Sequence, residues 1–320
     1  LYHALVQHLY DLHISKEQLY EYDQNIIRHT KEINVRRTEK IQWKYYQYLS
    51  LLFTEVFLDK YFADRKALLN DINEFQENVF NFKPDTWHGV PPFEEDDLNK
   101  LAFWCATGSG KTLLMHVNIK QYLHYAAKYR APKLNRIIIL TPNEGLSKQH
   151  LQELYLSDIQ AELFSKNSGR MFQGKTIEII DVNKLADKDG DKTVAVDSFE
   201  GNNLVLGDEG HKGSGGEVWK GFRNTLTLQG FSFEYSATFG QAIAAASNTT
   251  LKKALLAEYG KATLFDYSYR YFYNDGYGKD YRIMNMSTWD DQELLDMYLT
   301  AYLLCLYEQT LAFNRDANIK

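Results

Sequence analysis

The stretch that most limits how this chain can fold is "LAFWCATGSGKTLLMHV", residues 101–117, where an apolar run meets a glycine-rich turn and then a helical pattern. A strand, a tight glycine turn and a helix in that order aim backbone N–H groups and a helix N-terminus at one point, which is what a phosphate group requires. Lys111 can reach the outer phosphate oxygens and Thr112 can ligate Mg²⁺. The loop matches G-x-x-x-x-G-K-[ST] except at Cys105, which stands in the place of the first glycine. Thr107, Gly108, Ser109, Gly110, Lys111 and Thr112 are the expected phosphate-binding residues.

Downstream of this loop the alternation repeats. Short apolar runs, "RIIILTP", "TIEIIDV", "NLVLGDE" and "FSFEYSAT", alternate with helical segments, including one from Lys111 to about Tyr129 and one around "GLSKQHLQELYL". Strands alternating with helices predict an α/β fold with a parallel sheet covered on both faces. The first 83 residues contain neither glycine nor proline and carry aromatics at helical spacing, so they predict a helical N-terminal region. Within it Ser15 and Gln18 form a capping-box pattern, and one long helix is expected over residues 38–75. A connector with three of the five prolines and the acidic run Glu94 to Asp97, read as solvated loop, leads into an α/β domain over residues 84–245. Residues 246–320 read as a helical and hairpin extension; the hairpin is expected around "NDG" at 274–276, with tyrosines packing on a neighbouring helix or stacking bases.

Composition narrows the functional classes. The cysteines, Cys105 and Cys305, are too few for a disulfide framework or a structural zinc site. No apolar run is long enough to span a bilayer, so the chain reads as soluble and cytoplasmic. A net charge of -6 argues against tight non-specific binding of nucleic acid while leaving room for a local basic groove. Leu1 in first place and an unstopped "AFNRDANIK" at the end suggest a piece of a longer polypeptide.

The run "NLVLGDEGH" delivers Asp208 and Glu209 at the C-terminal end of a predicted strand, where open α/β sheets bind their ligands. Adjacent carboxylates there divide labour, one holding a metal and the other polarising water. Ser236 and Thr238 end another strand, and the glycines after His211 suggest a loop able to move.

Taken together and in this order, "ATGSGKT", "LTPNEGLSKQ", "DEGH" and "SAT" resemble motifs I, Ia, II and III of the first RecA-like domain of superfamily-two helicases, over residues 41–240. The variants "CATGSGKT" and "DEGHKG" are most similar to the restriction-subunit branch, as in type III restriction enzymes and related defence helicases. The resemblance implies a RecA-like P-loop NTPase domain with ATP and Mg²⁺ as cofactors. Lys111 and Thr112 would bind phosphate and metal, Asp208 would hold Mg²⁺, and Glu209 would activate water. His211, Ser236 and Thr238 would couple nucleotide state to grip on nucleic acid, with Thr141, Pro142 and Asn143 along its backbone. Gln47 is either the adenine-reading glutamine or a plain helix-surface residue. The implied partners are double-stranded DNA, a second RecA-like domain whose motifs have no counterpart after residue 240, and a nuclease or methyltransferase domain or subunit. The readings weighed beside a DNA translocase are an RNA helicase and an ATP-switched scaffold or sensor subunit.

Overall fold

Unbroken apolar runs such as the one in "RIIILT" leave no face for water, so such a strand must be covered on both sides. In the computed structural model, which describes residues 2–8, 14–82, 90–165, 176–186, 193–208, 216–239, 249–278 and 292–315, these runs form the middle of a parallel sheet. The strands are β1 (Lys100–Cys105), β2 (Arg136–Thr141), β3 (Ala161–Leu163), β4 (Ile177–Asp181), β5 (Leu185–Ala186), β6 (Val194–Ala195), β7 (Asn203–Asp208), β8 (Phe231–Ser236) and β9 (Thr263–Tyr267). Seven of them lie in the order β3-β4-β2-β7-β8-β1-β9, and β5 and β6 make a separate pair. Every neighbouring pair of the large sheet runs parallel.

The helices are α1 (Tyr2–His8), α2 (Lys16–Ile33), α3 (Tyr45–Ala63), α4 (Arg65–Phe82), α5 (Lys111–Lys128), α6 (Glu144–Leu156), α7 (Gly216–Leu226), α8 (Thr249–Ala262), α9 (Tyr269–Asn274) and α10 (Gln292–Arg315). Alternation along the strands sorts them into layers. Leu101, Phe103, Ile137, Ile139, Leu204, Leu206, Phe231 and Phe233 face one core with residues of α2, α3, α5 and α6. Ile138, Leu140 and Val205 face another with Phe222 and Leu226 of α7. Contacts divide the chain into two compact units, Leu1–Gly278 and Lys279–Lys320; the second contains α10, a helix of 24 residues. No described helix is long and apolar enough to cross a membrane.

A buried polar network joins the N-terminal helices to the sheet. Tyr235 of β8 donates to Asn118 of α5 at 2.7 Å, Asn118 donates to Gln121 at 2.8 Å, and Gln121 donates to Glu55 of α3 at 2.7 Å. Glu55 also accepts from Tyr125 at 2.5 Å and from Asn25 of α2 at 3.0 Å. Breaking any one link strands a buried polar group, at about 1–3 kcal/mol.

The capping box of Ser15 and Gln18 is present. Two expectations for local structure are corrected. The single helix over 38–75 is two helices, because Asp64 turns extended and its Oδ1 accepts from the Ala67 N–H at 3.0 Å, opening α4 as an N-cap. Among the described residues the stretch before "NDG" is not a hairpin arm: β9 pairs in parallel with β1, the one-turn α9 comes after it, and residues 279–284 of the expected hairpin lie outside the described residues. Gly276, at φ 79°, closes that turn, and a left-handed glycine ends a helix as readily as it turns a hairpin.

Candidate active site

The loop after β1 takes the form its glycines allow. Gly108 and Gly110 have φ of 83° and 93°, in the left-handed region where a side chain is strained. Gly110 is the N-cap of α5, so the first N–H groups of that helix have no partner inside it. A Cβ on Gly108 would meet nothing within 4 Å, whereas a Cβ on Gly110 would lie 2.5 Å from Nε2 of Gln47. Thr107 and Gly108 are exposed, and Lys111 Nζ lies 3.4 Å from the Cys105 carbonyl. Burial pushes the Cys105 thiol up to about 12 even with Lys111 nearby, so it is inert as a nucleophile.

Gln47 is not a helix-surface residue. It is buried in the first turn of α3, where Oε1 accepts from the Lys44 N–H at 2.9 Å and Nε2 donates to the Ser109 carbonyl at 2.7 Å. That leaves the amide one N–H and one lone pair. Its neighbour Tyr46 donates to the same carbonyl at 3.3 Å and stacks on Tyr267 at 3.8 Å between ring centroids. Tyr267 ends β9, and its carbonyl accepts from Ala106 N–H at 3.0 Å, so α3 and β9 support the loop from two sides. Tyr45 and Tyr267 both donate to Asp275.

β7 lies two strands from β1, with β8 between them, so their C-terminal ends sit within about 10 Å. Asp208 ends β7 and is buried; its Oδ2 lies 3.0 Å from His150 Nε2, and its Oδ1 has no hydrogen-bond partner among the described residues. Ser236 ends β8, fully buried, with Oγ accepting from the Thr238 N–H at 2.9 Å. Glu209 and His211 lie outside the described residues.

Beyond β2, Thr141 is buried with its hydroxyl 2.6 Å from that of Ser147, and 3.4 Å from the Ile180 carbonyl. Pro142 is half-buried, while Asn143 is exposed and caps α6, its Oδ1 accepting from the Leu146 N–H at 2.9 Å. The sheet thus brings the phosphate loop, Gln47, Asp208 and Ser236 to one edge, with Thr141 to Asn143 at the end of the strand beside β7. A groove of about 1290 Å³ between α5 and α6, lined by Ile119, Leu123, Ile137, Leu151 and Tyr155 among others, contains none of these residues.

Sequence reasoning missed His150, Tyr46 and Tyr267. His150 did leave a signal: Ser147, His150, Leu151 and Leu154 fall at i, i+3, i+4 and i+7, the inward phase of α6, and two of the four are polar.

No curated protein matches the chain. Among solved structures, the crystal structure of the UvsW helicase from bacteriophage T4 aligns over 80% of this chain and 68% of its own, at 11% identity and a TM-score of 0.39, too slight a likeness to carry weight. The family profile described as type III restriction enzyme, res subunit, matches residues 17–241, from α2 through the phosphate loop to just past β8. With that match over more than half its length, and with a parallel sheet that ends its strands at the phosphate loop and Asp208, the chain belongs to the family of type III restriction enzyme res subunits.

Proposed function

We propose that this chain is the ATP-binding segment of a motor that moves along double-stranded DNA and serves a restriction or antiphage system. The observation that carries the reading is the meeting of a glycine loop and a buried, half-unpaired carboxylate across one intervening strand, on a chain of this family. In this reading residues 84–245 are the motor core, residues 1–83 are a helical layer fixed to it, and residues 246–320 lead toward a second RecA-like domain.

The residues fit a magnesium nucleotide. A buried carboxylate oxygen without a partner asks for a cation or a donor, and Asp208 Oδ1 is such an atom. The N–H groups at the start of α5, with the Lys111 ammonium, would hold the phosphates, and Asp208 with Thr112 would hold the metal. A Mg²⁺ ion held there would supply positive charge beside the outer phosphates. Glu209 would take the proton of the attacking water, and the remaining N–H and lone pair of Gln47 match the N7 acceptor and amino donor of adenine. Ser236, at the end of the strand beside Asp208, and Thr238, two residues beyond it, would couple nucleotide state to the grip on nucleic acid.

Thr141 serves the nucleic-acid face indirectly, by holding the turn that presents Pro142 and Asn143. His211 would transmit nucleotide state to that grip. A short third strand paired to a linear duplex, released only when a moving protein reaches it, tests the reading. In the full-length protein, ATP-dependent release, lost in Lys111→Ala, is expected. ATP-driven activity confined to RNA would favour an RNA helicase, and nucleotide binding with no nucleic-acid response would favour a switched scaffold.

A further inference from the structure

His150 emerges from the fold as a residue with one evident task. It sits on the inner face of α6, is 1% exposed, and places Nε2 3.0 Å from Asp208 Oδ2. A carboxylate oxygen accepts, so in this contact Nε2 donates and carries the ring's hydrogen. The other ring nitrogen, Nδ1, is buried and makes no hydrogen bond among the described residues, so within them the ring's hydrogen bonding goes to Asp208. His116, the neighbouring ring on α5, is bound elsewhere: its Nδ1 lies 2.8 Å from Ser157 Oγ, which accepts from Arg37 at 3.0 Å. Burial holds His116 down to about 3, so that ring is neutral and does not compete for the carboxylate.

Asp208 therefore has two buried oxygens with different fates. One is occupied by His150, and the other is left open. We infer that His150 is a positioning residue: by donating to Oδ2 it fixes the carboxylate rotamer so that Oδ1 alone is presented to the metal ion of the nucleotide. This rests on the reading of Asp208 as the metal-holding carboxylate. Histidine partners of this kind orient a ligand without touching the metal, and their loss commonly costs about 10- to 100-fold in metal affinity. The same contact anchors α6, whose N-cap is Asn143, to the end of β7, so the element bearing the proposed nucleic-acid turn and the metal-holding carboxylate are joined by one hydrogen bond.

Two amides of the same chemistry and different reach separate positioning from packing. Gln places its Nε2 about where histidine places its own, whereas Asn is one carbon too short. Binding of a fluorescent ADP analogue would be titrated in EDTA and across a Mg²⁺ series, with thermal melting of each variant. The expected result is that His150→Asn keeps its affinity in EDTA but loses the Mg²⁺-dependent gain about tenfold or more, while His150→Gln retains that gain. Equal Mg²⁺ gains in the two variants would overturn the inference while leaving the nucleotide reading intact. If wild type binds the analogue with no Mg²⁺ gain at all, the reading of Asp208 fails first and the inference falls with it.

Discussion

At the scale of single residues, Gly110 and Gln47 depend on each other. Alanine at either Gly108 or Gly110 would hold a left-handed φ at a cost of about 1–2 kcal/mol, and at Gly110 it would also add a Cβ 2.5 Å from the Gln47 amide, whereas Gly108 has open space above it. Gly110→Ala is therefore expected to lower the melting temperature and weaken nucleotide binding at least tenfold, and Gly108→Ala to melt closer to wild type; calorimetry and nucleotide titration check both. Removing the Gln47 amide leaves the Ser109 carbonyl to the longer Tyr46 bond and takes away the partner of the Lys44 N–H, and should weaken every nucleotide somewhat. If its free N–H and lone pair read adenine, Gln47→Ala also brings the preference for ATP over GTP toward one. An unchanged ratio in competition titrations would make Gln47 a brace of the loop and nothing more. The glycines and Lys111 were legible in the sequence because a phosphate loop is local chemistry. His150 was not, since only the fold brings α6 against the end of β7.

Among elements, strands were easier to read than the joints between them. The runs that became β1, β2 and β7 are apolar on both faces, a signal that needs no knowledge of neighbours, and β8 alternates apolar residues with Ser232, Glu234 and Ser236. β3 and β9 are short and partly exposed at the two sheet edges, and their place depends on the strand they pair with. Asp64 broke an expected helix because a single side chain can cap the next one, a choice that helix periodicity does not reveal. The contact between α3 and α5 centres on Glu55, whose carboxyl burial pushes up to about 7 against the donors Tyr125, Gln121 and Asn25. Folding thus favours the protonated acid, so this part of the stability is present below about 4.5 and is lost as pH rises toward about 7. Glu55→Gln cannot titrate; relative to wild type its melting temperature should move in the variant's favour between pH 5 and pH 8, by the equivalent of roughly 3 kcal/mol at most. A constant gap across that range would show that Glu55 does not titrate there. On the opposite face Glu258 behaves the other way. Burial would raise it, but Lys100 and Arg223 hold it down to about 2, so its contribution is present above about 4.5 and fades as pH falls toward about 2. Glu258→Gln should therefore melt below wild type at neutral pH, with the difference closing in acid.

For the molecule as a whole, the fold class and the family were legible because four motifs appear in order, each at the end of a strand. The sequence could not reveal that the N-terminal helices share a polar core with the sheet, since Asn25, Glu55, Asn118 and Tyr235 are far apart along the chain. In the proposed reading the arginine that completes the ATP site belongs to a second RecA-like domain, and such an arginine is worth about 10³ to 10⁵ in turnover. These 320 residues alone should accordingly bind ATP yet hydrolyse it very slowly; brisk turnover by the isolated segment would count against the need for a second domain. The central claim is that the site at the ends of β1 and β7 drives movement on duplex DNA. ATP turnover by the full-length protein, as wild type and Lys111→Ala, measured with no nucleic acid, with linear duplex DNA and with RNA, decides it. Stimulation by duplex DNA that disappears in Lys111→Ala is the expected result; turnover indifferent to every nucleic acid would refute the claim.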